Sequence, residues 1–154
     1  MCFVGIVDES TGKVDVAASA GKGRDLLALV SETLASDEKS PNTMVMMAIR
    51  EKTAIVSNDS CSDPRVVFRA EYAETGVRSL AILPLLVYGE AVGLVVLYSN
   101  LNHFVLVDAV SLLRELDGNV VDELALKKKG AQIGRVALDD CLHLLQTDPS
   151  ITRC

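Results

Sequence analysis

The sequence predicts one α+β domain, built on a central antiparallel sheet of about five to six strands flanked by helices. Two observations support this fold class. The 154 residues and their 49% apolar content suit a single domain with one packed core. Runs with the two-residue period of strands alternate with runs at helical spacing, in an order that lacks a parallel strand–helix–strand repeat.

The chain opens with a predicted β-hairpin. Residues 3–8 are mostly apolar, and after a turn-forming stretch Val14, Val16 and Ala18 alternate with small and polar residues. Leucines and valines at helical spacing between positions 25 and 34 then predict the first helix. The predicted order is therefore strand, strand, helix.

A second short helix is predicted to begin at Ser40 and Pro41 and to stop near Lys52. Serine is a favourable N-cap, and proline suits the first helical position because its missing N–H would have no partner there. The helix carries three methionines, namely Met44, Met46 and Met47. Their flexible thioethers suit either an adaptable ligand-binding wall or ordinary filling of the core.

A short strand is predicted at 54–57, followed by a polar loop. The pair Asp63–Pro64 predicts the start of a third helix, on which Phe68 and Tyr72 stack one turn apart. Gly76 is expected to end that helix.

Two long apolar runs at 77–87 and 91–99 predict the central strands of the sheet, joined by a tight turn. Pro84 lies inside the first run and has no N–H for the ladder. We therefore expect it at a bulge, or where pairing on one side of the strand lapses.

A long amphipathic helix is predicted from near Leu106 and ends at the three lysines 127–129, where cations favour the helix dipole. Its apolar face includes Leu113, Leu116, Val120 and Leu124. Residues 1–129 are assigned to one domain, and residues 130–154 to a C-terminal linker or an extra helix.

Composition and charge argue against several classes of function. Fifteen Lys and Arg stand against 21 Asp and Glu, so the net charge of -6 does not provide the broad positive field that nucleic acids require. No apolar stretch approaches the roughly 18 residues of a membrane span, and no secretory signal pattern occurs. We expect a cytoplasmic protein without nucleic-acid or membrane partners.

The cysteines and histidines predict neither a disulfide framework nor a metal site. The four cysteines are far apart and lack a C-x-x-C spacing, so free thiols are expected at Cys2, Cys61, Cys141 and Cys154. His103 and His143 have no further ligand at coordinating spacing and are expected at the surface.

Several short motifs follow one another along this order of elements. They are Val56-Ser57-Asn58-Asp59, Asp63-Pro64-Arg65, Gly76-Val77-Arg78-Ser79-Leu80, Leu83-Pro84-Leu85, Gly89 and Gly93-Leu94-Val95-Val96-Leu97-Tyr98-Ser99. Over residues 2–126 the set resembles a GAF domain of bacterial signalling proteins.

The resemblance implies a regulatory module that binds a small molecule between the sheet and the helices and loops over it. It also implies a homodimer beside an output domain in the same protein. The cofactor is unknown, because Asp59-Ser60-Cys61 matches the bilin-binding element poorly and no cyclic-nucleotide signature is recognisable. GAF domains usually carry a helix before the first strand, so a chain with strand residues almost at Met1 is expected to be a fragment.

Seven residues are candidates for ligand contact. They are Asp59, Cys61, Phe68, Tyr72, Arg78, Ser79 and Tyr98. The first four lie on the loop and helix that resemble the pocket cover of the family, where function concentrates. The next two open a central strand with a guanidinium and a hydroxyl, and the last offers a phenol to the same cavity. The structural alternative is that they form turns, ion pairs and core packing.

Three classes of function remain open. An enzyme would resemble the GAF-like free methionine sulfoxide reductases, but only Cys61 is well placed and no resolving cysteine is evident, so catalysis is not expected. A sensor needs a cavity of a few hundred cubic ångströms with convergent polar groups. A ligand-free dimerisation scaffold would fill that space instead.

Overall fold

A computed structural model describes residues 1–36 and 42–102. The elements are β1 (Cys2–Val7), β2 (Val14–Ala20), α1 (Arg24–Ala35), α2 (Met44–Glu51), β3 (Ile55–Ser57), α3 (Arg69–Thr75), β4 (Ser79–Val87) and β5 (Glu90–Ser99). The five strands form one antiparallel sheet in the order β2-β1-β5-β4-β3. The predicted α+β fold class is confirmed.

The predicted central hairpin is formed by β4 and β5. Tyr88 and Gly89 connect the strands with φ angles of 52° and 80°, the left-handed conformation that two-residue hairpins require. Pro84 pairs with Leu94 of β5, whereas β3 pairs with β4 only as far as Ile82. Proline therefore lies where pairing on one side has lapsed, as expected.

Side chains on the strands alternate between the two faces of the sheet. The face that packs against the three helices, called the helix face below, contributes Phe3, Leu80, Ile82, Leu94, Val96 and Tyr98 to the core. The opposite face is buried as well, at Cys2, Val4, Ala81, Leu83 and Val95. Because both faces of β4 and β5 are apolar, these strands appear in the sequence as continuous apolar runs.

Helix α2 begins later than the sequence predicts. Thr43 is its N-cap, and the threonine hydroxyl accepts a 3.3 Å hydrogen bond from the Met46 N–H. Ser40 and Pro41, where the helix is predicted to begin, lie outside the described residues. The predicted end is confirmed, because Lys52 adopts the left-handed C-cap conformation at φ 55°.

The predicted start of α3 at Asp63 and Pro64 is also wrong, since the helix begins at Arg69. The Asp63 carboxylate accepts hydrogen bonds from the backbone N–H and the guanidinium of Arg65. The Asp63 carbonyl accepts from the Val66 N–H. These bonds hold a turn in place of a first helical turn. Gly76 ends the helix at φ 76°, as expected.

Several predictions fall on residues that the structure does not describe. They include the long helix from Leu106 to the lysines 127–129, the segment 130–154, both histidines, and Cys141 and Cys154. Within the described ranges, no helix is long and apolar enough to cross a membrane.

Candidate functional site

Three of the seven candidate residues, Phe68, Tyr72 and Tyr98, meet in one aromatic cluster between α3 and the sheet. The Tyr72 N–H donates to the Phe68 carbonyl at 2.9 Å, so the two side chains lie one turn apart on the same side of the chain. Their ring centroids are 5.9 Å apart. The rings of Tyr72 and Tyr98 meet edge to face at 5.6 Å, a favourable arrangement for aromatic side chains.

The two phenols bring polar groups into an apolar interior. The hydroxyls of Tyr72 and Tyr98 lie 3.5 Å apart, and their residues are only 5% and 7% exposed. Burial raises the pKa of Tyr72 to about 12 and raises that of Tyr98 well above its ordinary value. Both phenols are therefore neutral at physiological pH, and they offer hydrogen bonds instead of a charge or a base.

A small interior cavity lies beside this cluster, under the helices. It is lined by Val30, Leu34, Thr43, Met44, Val45, Val66, Val67, Phe68, Tyr72, Leu80, Ile82 and Tyr98. Its volume is about 30 Å³, whereas a water needs roughly 10–15 Å³ and typical ligand pockets roughly 300 Å³ or more. In this conformation the cavity holds water at most.

A larger, open cleft of about 520 Å³ lies near the first turn of α1 and the end of α3. It is lined by Met1, Lys22, Gly23, Leu26, Thr75, Gly76, Val77, Tyr98, Ser99 and Asn100. Tyr98 lines both spaces. This residue is therefore a common wall of the interior cavity and the outer cleft.

Asp59, Cys61 and Arg78 form a separate cluster at the surface. The Asp59 carboxylate accepts from the Cys61 N–H at 3.1 Å and from the Ser62 hydroxyl at 2.7 Å. The bond from Ser62 is the main cause that lowers the pKa of Asp59. The Arg78 guanidinium lies 3.5 Å from the Cys61 sulfur. None of the three lines the interior cavity.

Ser60 fixes the position of this surface cluster, although no sequence pattern indicates such a role. The side chain is fully buried, and its hydroxyl donates to the Val77 carbonyl at 2.8 Å. The Ser60 N–H donates to the Arg78 carbonyl at 2.8 Å. The loop is thus attached to the residues that precede β4. A single serine among polar neighbours carries no pattern that identifies such a role.

Ser79 lies on the sheet face opposite to the aromatic cluster, because neighbouring residues of a strand point to opposite faces. Its hydroxyl donates to the Leu101 carbonyl at 2.7 Å. The Leu101 N–H donates to the Ser99 hydroxyl at 3.1 Å. Ser79 and Ser99 thus hold the chain where it leaves β5, directly after Tyr98.

The remaining lining residues are apolar except for Thr43, and the sequence did not identify them as site residues. Met44 is the exception, because the methionine cluster had suggested an adaptable wall, and Met44 does line the cavity. Periodicity identifies buried positions, but it does not separate those that border a cavity from those that are fully packed.

The elements and their order define a class of α+β domain in which helices cover one face of an antiparallel sheet. The GAF domain family model matches residues 1–122, so the chain belongs to the GAF domain family. The resemblance seen in the sequence motifs is thereby confirmed. No curated protein matches the sequence.

Solved structures share the fold at low sequence identity. The GAF domain region of a Geobacter sulfurreducens protein aligns with a TM-score of 0.59 and 19% identity, covering 90% of this chain and 80% of that one. The GAF domain of a Coxiella burnetii phosphoenolpyruvate-protein phosphotransferase aligns with a TM-score of 0.53 and 14% identity, covering 94% of this chain and 71% of that one. The free methionine-R-sulfoxide reductase of Neisseria meningitidis aligns with a TM-score of 0.57 and 17% identity, covering 88% of this chain and 69% of that one. The likeness of fold extends to GAF domains and to an enzyme.

Proposed function

We propose that this GAF domain is a regulatory domain of a bacterial signal-transduction protein, that it binds a small molecule beside Tyr98, and that it passes the bound state to an output domain. The observation that carries the proposal is the position of Tyr98 as common wall of the interior cavity and the outer cleft. A displacement of Tyr98 that opened the boundary would join about 30 Å³ of interior to about 520 Å³ of cleft. The combined space falls in the usual range of ligand pockets, roughly 300–1,000 Å³.

The chain after Tyr98 supports the second half of the proposal. Ser99 follows directly, and Leu101 is held by the hydroxyls of Ser79 and Ser99 at 2.7 Å and 3.1 Å. A ligand that displaces the Tyr98 ring acts within three residues of the point where β5 ends. Because a ligand acts only through different affinities for two states, the two positions of this ring would be those states.

The proposal does not include catalysis. Cys61 lies in the surface cluster, outside the interior cavity. Cys2 is buried in β1 on the opposite sheet face, and burial raises the pKa of its thiol, which disfavours the reactive thiolate. Among the described residues, therefore, no pair of thiols meets at the aromatic cluster.

A second candidate is a GAF domain that acts as a ligand-free scaffold for dimerisation. One observation favours it, namely that the interior cavity is almost filled, at about 30 Å³. The two candidates differ in what the protein retains when it is purified and in how it responds to metabolites.

Native mass spectrometry of protein purified without added ligand tests both candidates, because it records subunit number and any retained molecule together. Tyr98→Phe tests the aromatic cluster. Ser79→Ala is a matched control, since it also removes one hydroxyl from a central strand but on the other face of the sheet.

A molecule retained by the wild type and by Ser79→Ala, and lost from Tyr98→Phe, supports a sensor. A ligand-free dimer whose melting temperature does not change with any member of a metabolite library supports the dimerisation scaffold. Loss of the molecule from Ser79→Ala alone would place the ligand on the opposite face and contradict the proposed site.

A further inference from the structure

The lining of the interior cavity restricts the chemistry of a ligand. Among the residues that the structure describes, twelve line this cavity and none carries a formal charge. An ionised group that entered would lose its hydration without gaining a counter-charge, which is strongly unfavourable. The lining therefore favours an uncharged molecule.

The two phenols supply a polar anchor. Each phenol carries one proton, and a hydrogen bond between Tyr72 and Tyr98 uses only one of the two. Within the described part of the chain, the other proton has no acceptor. Thr43, the third polar residue of the lining, accepts from the Met46 N–H through its own hydroxyl. One phenol proton of the aromatic cluster is thus available to a ligand that carries a hydrogen-bond acceptor.

The size of a ligand can be inferred from the space that the Phe68 ring would leave if it moved. Phe68 is only half-buried, it precedes the first turn of α3, and its ring lies 5.9 Å from the Tyr72 ring. The neighbouring Val67 is 52% exposed, and residues 58–68 contain no helix or strand. A planar ring could replace the Phe68 ring against Tyr72, since a cavity of roughly 150 Å³ already admits benzene in a protein core.

We infer that the cavity selects an uncharged, compact and mainly apolar molecule, of about one aromatic ring, with one hydrogen-bond acceptor directed at the hydroxyls of Tyr72 and Tyr98. The inference rests on the proposed ligand-binding function and adds the ligand class. It predicts that the interior cavity rejects an ionised group, although Lys22 lines the outer cleft on the other side of Tyr98.

Three probes of matched size separate these properties: acetophenone is neutral and has an acceptor, toluene is neutral and has none, and benzoate is charged at neutral pH. The chain has three tyrosines, two of them in the cluster, and the third, Tyr88, is 91% exposed. Tyrosine labelled with ¹³C in its ring therefore gives NMR signals for the site together with an internal reference.

Wild type and Phe68→Ala are titrated in parallel, with Phe68→Leu as a milder variant should the alanine variant unfold. Val87→Ala, at the end of β4 and outside the lining of the cavity, is the control. Acetophenone should shift the Tyr72 and Tyr98 signals in a saturable way and leave Tyr88 unmoved. Toluene should bind about three- to tenfold more weakly, since one hydrogen bond is lost. In Tyr72→Phe/Tyr98→Phe, followed through ring-labelled phenylalanine in place of tyrosine, that difference should disappear.

Benzoate that binds as tightly as acetophenone would overturn the ligand class while leaving the binding function intact. Failure of all three probes, in wild type and in the Phe68 variants, would overturn the inference. The retained-molecule experiment then decides separately whether the proposed function also fails.

Discussion

The hydroxyl groups of Tyr72 and Tyr98 lie 3.5 Å apart, at the point where α3 meets the sheet, and each is surrounded by apolar side chains. The two residues are 26 positions apart in the sequence. They meet because the helical turn after Phe68 directs Tyr72 toward the sheet, while the register of β4 and β5 places Tyr98 opposite Leu80 on the helix face. The contact thus joins the helical layer to the centre of the sheet.

This contact predicts non-additive effects on stability. Tyr72→Phe and Tyr98→Phe should each lower the free energy of unfolding by about 1 kcal/mol, because each leaves one buried hydroxyl without its partner. The double variant should lose less than the sum of the two, since no unpaired hydroxyl remains. Urea unfolding measures all three, with the exposed Tyr88→Phe as control. Strictly additive losses would show that the hydroxyls do not interact.

The same residues predict a loss of stability at alkaline pH. An unfolded tyrosine ionises near pH 10, whereas the folded pKa of Tyr72 is about 12 and that of Tyr98 is also raised. Above about pH 10 the unfolded chain releases protons that the folded chain retains, so unfolding becomes more favourable as pH rises. The stabilisation is complete below about pH 10 and is lost toward pH 12, by roughly 2–3 kcal/mol for Tyr72.

Urea midpoints at about pH 9 and about pH 11 measure this loss. The variant Tyr72→Phe/Tyr98→Phe lacks both groups and should lose less stability between the two pH values than the wild type. An equal loss in both proteins would mean that the buried phenols do not govern the alkaline transition.

Most of the fold could be predicted from the sequence because strand and helix periods are local signals. The start of α3 could not, since side-chain hydrogen bonds compete with the first helical turn. At Asp63 the carboxylate binds Arg65 instead of capping a helix, although the Asp–Pro pair is typical of a helix start.

The composition of the site was harder to predict than the fold. Arg78 directly precedes β4 and Ser79 is its first residue. Because this strand is apolar on both faces, the sequence does not show which positions face the helices. Ser79 in fact faces away from them. Tyr72 was identified by its helical spacing from Phe68, and Tyr98 by its place near the end of an apolar strand. Their contact depends on the packing of α3, which no local pattern encodes.

From the hydrogen bonds of the Asp63 carboxylate we predict that the protein loses stability at acid pH. The hydrogen bonds with Arg65 are the main cause that lowers the pKa of the carboxyl to about 2. In the unfolded chain an aspartate titrates near pH 3.9, so the stabilisation is present above about pH 4 and is lost as pH falls toward 2. Because the Arg65 side chain is 45% exposed, solvent screening limits the effect to about 1 kcal/mol.

Asp63→Asn should remove this stabilisation near neutral pH and flatten the loss between about pH 5 and about pH 2. The pKa values of Asp8 and Asp59 are lowered as well, so the informative quantity is the difference between variant and wild type. Chemical unfolding at several pH values measures it. Parallel curves for the two proteins would contradict a stabilising role of Asp63.

The close approach of β1 and β5 at Gly93, in the centre of the sheet, leaves no room for a side chain at this position. A Cβ at this position would come within 2.7 Å of the Gly5 carbonyl oxygen, a backbone atom that cannot move without disturbing the ladder. Gly93→Ala should therefore lower the free energy of unfolding by about 2–3 kcal/mol.

Gly12→Ala is the matched control for Gly93→Ala. Its Cβ would meet nothing within 4 Å, and it carries only the cost of a positive φ of 69°, about 1 kcal/mol. Thermal unfolding compares the two variants directly. The larger loss should fall on Gly93→Ala, because it combines a backbone clash with the displacement of β5, the strand that carries Tyr98. If Gly12→Ala were the more harmful change, the β1–β5 pairing would have to accommodate a side chain at little cost, and the close approach of Gly93 to Gly5 would not constrain the sheet.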